Sequence, residues 1–152
     1  MPARIVLVAE AVAAAINTAS LPIPVQAQMK WMPLTAREDM SVIACWAIPS
    51  TETPSALGRQ RGQYDCEILV ALQKEAEDEP EISALAANLE AIGTALFQQS
   101  LPLVFEGNPQ GEAAFVSMRL DPIVDTEHWN RLKQYTGVIR LVYRVFVATG
   151  GA

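Results

Sequence analysis

The residues of this chain best equipped for chemistry are one histidine, His128, and two cysteines, Cys45 and Cys66. Nucleophilic catalysis needs a thiol or hydroxyl with a base in reach and a third group to orient that base. His128 is flanked by Glu127 and Trp129. Adjacent residues do not face one another on a strand or helix, so the histidine reads as a surface or turn residue. No GxSxG elbow is present. A pairing of Cys66 with His128 stays open and is the basis of an enzymatic reading. The cysteines lack CxxC or His-cluster spacing, which leaves no zinc site. Gly58, Gly62, Gly107 and Gly111 form neither a Walker pattern nor a GxGxxG fingerprint. No catalytic, cofactor-binding or metal-binding residue is therefore assigned.

Charge gives a second set of candidates. Glu75, Glu77, Asp78 and Glu79 crowd the approach to Pro80. Carboxylates there favour the positive end of a helix dipole, and Pro80 suits a first helical turn. The same cluster is a candidate channel-facing surface beside passing DNA, or a patch for a basic partner. Glu52, Arg59 and Arg61 lie in a turn-rich stretch, and Arg140 and Arg144 lie on the polar face of the last strand. These five are candidate partner contacts, although solvation and ordinary ion pairs account for such residues equally well. Trp31, Trp46 and Trp129 are possible interface anchors, with Trp46 better suited to the core.

The elements that must position these residues follow from the apolar rhythm. A helix is expected from Ala3 to Ala19, alanine-rich and stopped by Leu21-Pro22-Ile23-Pro24. Val25, Ala27, Met29 and Trp31 alternate with Gln26, Gln28 and Lys30 as a half-solvated strand. A polar connection, Thr35 to Asp39, leads to a strand from Ser41 to Ile48 apolar enough for burial on both faces. From Pro49 to Gly62 periodicity is lost, which predicts a long loop and a contact arm. Tyr64, Cys66, Ile68, Val70 and Leu72 oppose Asp65, Glu67 and Gln73 in a strand from Gln63 to Lys74. The rhythm then changes to 3.6. Ile82, Leu85, Leu89, Ile92 and Leu96 form one face of a helix from Pro80 to Phe97, with Ala86 and Gly93 permitting close approach. Asn108-Pro109-Gln110-Gly111 reads as a loop before a strand from Glu112 to Leu120. An Asp121-Pro122 break and a helical turn from Thr126 to Lys133 follow. The last strand, Tyr135 to Val147, is long and is expected to be central.

This order predicts an α+β domain: one mainly antiparallel or mixed sheet of about five strands with two helices on one face. The 152 residues suit a single domain, 1–152, with no internal repeat or linker. A chain of this size buries roughly 70% of the surface exposed by its unfolded form. Hydrophobic residues make up 51% and charged residues only 18%, so part of the apolar surface is expected to meet partners. A net charge of -6 argues against general electrostatic binding to DNA, RNA or an anionic membrane. The apolar run from Ile5 to Ile16 has the length of a signal peptide core. Ile5, Val8, Val12 and Ile16 nevertheless share one helical face, and Glu10 interrupts the run, so it reads as a domain helix. No stretch reaches the ~20 apolar residues of a membrane helix. The two cysteines read as buried thiols of a reducing cytoplasm.

The opening helix, the strand Gln63-Tyr64-Asp65-Cys66-Glu67-Ile68-Leu69-Val70, the acidic break, the helix from Pro80 to Phe97 and the closing Gly137-Val138-Ile139-Arg140-Leu141-Val142-Tyr143-Arg144-Val145 give the chain a known pattern. It resembles the tail terminator and tail-completion (neck) proteins of long-tailed bacteriophages, of the lambda type. That resemblance implies a non-enzymatic structural virion protein with one sheet and two helices on one side. It further implies a homo-oligomeric ring, a hexamer when assembled. Such a ring caps the tail tube protein, ends its polymerisation and joins the head–tail connector or stopper. Genomic DNA passes through without sequence-specific binding. The implied location is the tail or neck region of the virion, after assembly in the host cytoplasm, with no membrane partner. No family catalytic residue or cofactor is carried over. The family pattern does not account for residues 49–62 or for Gly150-Gly151-Ala152. A head-side stopper or other neck protein, a small cytoplasmic enzyme using His128 and Cys66, and a dimeric ligand-binding domain are the rival readings.

Overall fold

The computed structural model describes residues 3–31, 43–57, 61–105 and 108–148. The expected connection from Thr35 to Asp39, Arg59, and Gly150-Gly151-Ala152 lie outside them. Helix α1 spans Arg4–Thr18 and turns Val8, Ala9, Val12, Ala13 and Ile16 inward. It stops where Ala19 goes extended, just before the two prolines. Two asparagines then hold the outgoing chain. The Ile23 N–H donates to Asn88 Oδ1 at 3.0 Å. Asn17 receives the Ala27 N–H at 2.7 Å and donates Nδ2 to the Ala27 carbonyl at 3.0 Å, as a neighbouring strand would. Strand β1, Ala27–Met29, is only three residues long, shorter than the alternation predicts. The prolines precede it, and Trp31 stands 59% exposed beyond its end.

Strand β2 runs Ala44–Leu57 and pairs antiparallel with β3, Arg61–Glu75, in a long hairpin. The expected loop from Pro49 to Gly62 is thus corrected to strand as far as Leu57. Proline and missing periodicity were compatible with a strand because this part of β2 is an edge. There an absent N–H costs no ladder bond, and register shifts after Pro49 and Pro54 break the alternation. Helix α2 spans Glu79–Leu96. It leads to β4, Leu101–Phe105, a strand the sequence reading missed because it is short and contains Pro102. β4 is also an edge, which again tolerates proline. β5 runs Asn108–Leu120, and Asn108 pairs with Phe105, so the expected loop from Asn108 to Gly111 is instead the start of a strand. Helix α3, Thr126–Leu132, follows a cis Asp121–Pro122 bond. Strand β6, Gln134–Ala148, closes the chain.

The sheet order is β1-β2-β3-β6-β5-β4. Among the described residues only the β1–β2 pairing is parallel. The fold is therefore α+β with a mixed sheet of six strands, one more than expected, and a third short helix. β3 and β6 hold the centre, as the length of the last strand predicts. α1 packs against β1 and also against β4, the first and last strands of the sheet. The sheet is therefore curled around this helix, with α2 lying over β5 and β6.

One core joins all these layers. Cys66, Ile68, Val70 and Leu72 of β3 and Ile139, Leu141, Tyr143 and Val145 of β6 have no exposed surface, and they meet Val8, Val12, Leu85, Leu89 and Ile92. Gly137 makes one close approach possible. A Cβ there would lie 2.5 Å from the Tyr135 hydroxyl and 2.7 Å from the Ile123 carbonyl, where that hydroxyl donates its hydrogen bond at 2.7 Å. Among the described residues no helix is long and apolar enough to cross a membrane.

Candidate functional site

Alternation along β6 sends Ile139, Leu141, Tyr143 and Val145 into the core, so Arg140 and Arg144 face away from α1 and α2. Asp65 stands directly opposite Arg144 on β3. Arg144 donates Nε to Asp65 Oδ1 at 2.9 Å and Nη2 to Oδ2 at 3.3 Å. This forked bond raises the affinity of the guanidinium for its proton above the ordinary value. Arg140 Nη1 lies 3.8 Å from Glu67 Oε1, which also accepts the Ser50 hydroxyl at 3.0 Å. On β5, Arg119 is the cross-strand neighbour of Arg140 and pairs with Asp121 at 3.5 Å. The outer face thus carries three arginines and three carboxylates that answer one another. Exposed pairs of this kind contribute about 0.2–1 kcal/mol each, so the face is polar without being strongly stabilised by its charges. Arg140 Nε is buried and has no partner among the described residues.

Glu52 has a different setting. Its register partner on β3 is Cys66, which places it on the helix side of the hairpin. Arg4, in the first turn of α1, donates Nε and Nη2 to the two Glu52 carboxylate oxygens at 3.2 and 3.3 Å. The same guanidinium lies 3.8 Å above the centre of the Tyr64 ring. The Cys66 thiol donates to Glu52 Oε1 at 3.7 Å. One cation therefore joins α1, β2 and β3. Arg4 was not among the candidates from sequence. Nothing local in the sequence links it to Glu52, 48 positions away. Arg61 opens β3 opposite Ala148. Arg59 is outside the described residues.

The acidic run sits where β3 hands over to α2. Glu75 ends the strand. Asp78 caps the helix, accepting the Glu81 N–H at 3.0 Å, while Glu81 reaches back to accept the Glu77 N–H at 3.1 Å. This is the reciprocal arrangement of a capping box, displaced by one residue at its N-terminal side. A cap of this kind contributes about 1 kcal/mol. Glu75, Glu77, Asp78 and Glu79 are all exposed. Helix-start chemistry thus accounts for the placement of Asp78, and all four carboxylates are also presented to the surroundings.

Both thiols are buried. Burial pushes Cys45 up to about 12. Burial and then the neighbouring Glu52 charge push Cys66 up to about 12 as well. A nucleophilic thiol needs the opposite shift. His128 lies in α3, and its side chain is outside the described residues. Trp129 packs on the core and donates Nε1 to the Ala76 carbonyl at 3.2 Å. Trp46 faces away from the helices and is half-buried beneath Lys30, 4.1 Å from its ring centre, rather than in the core. A groove of about 550 Å³ between α1 and the end of α2 is lined by small and apolar residues, among them Ala11, Ala15, Ala95, Leu96 and Pro102.

No protein-family model matches the chain, and no curated protein matches it. Among solved structures it is similar to a chain from the virion of a native gene transfer agent particle, with a TM-score of 0.44 and 14% sequence identity. The match covers 90% of this chain and 84% of that one. A likeness at that score and identity does not carry a function from one chain to the other.

Proposed function

We propose that this chain is a structural virion protein of the head–tail junction. In this reading it forms a ring that caps a tail tube, ends tube polymerisation and joins the tube to the head-side connector while DNA passes through. The reading is carried by the agreement between the sequence pattern and the sheet. The strand from Gln63 to Val70 and the closing strand from Gly137 to Val145 are the adjacent central strands, with α1 and α2 packed on their common inner face. That is the architecture implied by the resemblance to tail terminators. Low charge content suits a subunit that completes itself against neighbours, and a net charge of -6 suits a channel that does not grip DNA.

Within that ring, Glu75, Glu77, Asp78 and Glu79 are proposed to face the lumen. Arg140, Arg144, Glu52, Arg59 and Arg61 are proposed to lie towards neighbouring subunits or the tail tube. The deciding experiment removes the protein from the assembling particle and images the products. Tubes of uncontrolled length that fail to join heads are expected. Normal joined particles would overturn the reading. Tubes of correct length with empty, unjoined heads would favour the head-side stopper. A ring structure with all four carboxylates on its outer rim would end the lumen assignment alone.

A further inference from the structure

Strand β2 changes character at Ser50. Cys45, Ala47, Ile48 and Pro49 are buried, whereas every residue from Ser50 to Pro54 is exposed. β1 covers its outer edge only from Cys45 to Ala47, and the last bond across that edge runs from the Lys30 N–H to the Ala47 carbonyl. Beyond it, among the described residues, the strand is held on one side only, by a ladder to β3 interrupted after Pro49 and after Pro54. From Ser50 to Pro54, where the side chains are described, two side-chain attachments to the body stand out. One is the Ser50–Glu67 hydrogen bond on the outer face. The other is Glu52 on the inner face, which accepts a two-point ion pair from Arg4 and the Cys66 thiol hydrogen bond, while the Arg4 guanidinium also stacks on Tyr64 of β3.

We infer that Arg4 is a latch, and that the half-strand from Ser50 to Leu57 is the part of the sheet built to detach. A strand exposed from Ser50 to Pro54, with two register breaks and an edge unpaired among the described residues, has little burial to lose there on opening. Its main anchor comes from a distant element, α1, so the half-strand can open while the core of β3 and β6 stays closed. Detachment bares the backbone of β3 from Gly62 to Glu67, an edge able to accept another strand, and uncovers the Cys66 thiol. Cys45, paired between β1 and β3 at the buried end of β2, stays covered.

Thiol labelling of the intact protein, resolved site by site by peptide mass spectrometry, tests the latch. Removing Arg4 takes a positive charge from beside Cys66, which on its own disfavours the thiolate, so faster labelling reports opening rather than electrostatics. Arg4→Ala should speed labelling of Cys66 by about tenfold and leave Cys45 unchanged. Arg4→Lys, a point charge without the planar fork, should fall between. Arg131→Ala, on the exposed side of α3, should do nothing. Unchanged Cys66 labelling in Arg4→Ala, or an equal rise at Cys45, would overturn the inference. Should Arg4→Ala not fold, Glu52→Gln read by hydrogen exchange decides. Loss of protection in residues 51–57 and 62–67 with retention in 68–72 supports the latch, and uniform loss or no change refutes it.

Discussion

The two faces of the β3–β6 pair are made from alternate residues of the same two strands, yet they are held by different forces. On the inner face Cys66, Ile68, Ile139, Leu141 and Tyr143 are wholly buried beneath α1 and α2. On the outer face Asp65, Glu67, Arg140 and Arg144 are partly solvated and meet as ion pairs. The inner face loses apolar surface to water when opened, a penalty that scales with area. The outer face exchanges one set of polar contacts for another and loses little. Most of the fully buried apolar surface of this strand pair therefore lies on one side of the sheet.

The strongest challenge to this contrast compares neighbours in one strand. Leu141→Ala should cost about 2–5 kcal/mol in chemical denaturation, because it leaves a cavity in a close-packed core. Val142→Ala, half-buried on the outer face, should cost about 1 kcal/mol or less. Equal losses would erase the distinction between the faces.

Alkaline titration probes the inner face by a second route. Cys45 and Cys66 are pushed up to about 12 from an ordinary 9.0, and burial also raises Tyr135 and Tyr143. The unfolded chain releases these protons at their ordinary values while the folded chain keeps them. Their contribution is therefore complete below the ordinary thiol value and is lost progressively as the pH rises towards the folded values. The denaturation midpoint should fall from about pH 9 upward, and a smaller fall is expected when both cysteines are replaced by alanine. A midpoint that rises over that interval would contradict the burial of these groups.

The smallest effect belongs to the outer face. A double-mutant cycle on Asp65 and Arg144 should return a coupling of about 0.2–1 kcal/mol that shrinks as salt is added. A salt-insensitive coupling of several kcal/mol would mean that this face is stabilised as strongly as the inner one.

Much of this architecture was legible because it repeats. Tyr64 to Leu72 alternates, Ile82 to Leu96 returns every third or fourth residue, and Ile139 to Val147 alternates again. Those periods identified β3, α2 and β6, and the length of the last strand placed β6 at the centre. The distal half of β2 and the whole of β4 were not legible, since Pro49, Pro54 and Pro102 argue against a strand unless it is known to be an edge. The acidic run was legible as a helix start, and Asp78 is the cap. The Arg4 cluster was not, because its members come from three elements and only the fold brings them within contact distance.

The sequence by itself determined which residues share a face, because side-chain direction follows from backbone period and needs no knowledge of neighbours. It thereby determined the α+β class and the apolar inner surface of the central strands. Tertiary structure decided which strands are edges, that the sheet curls until β1 and β4 both reach α1, and that Arg4, Glu52, Tyr64 and Cys66 meet. These depend on pairings between distant segments, whose free energy comes from surfaces buried together and leaves no periodic trace in either segment alone.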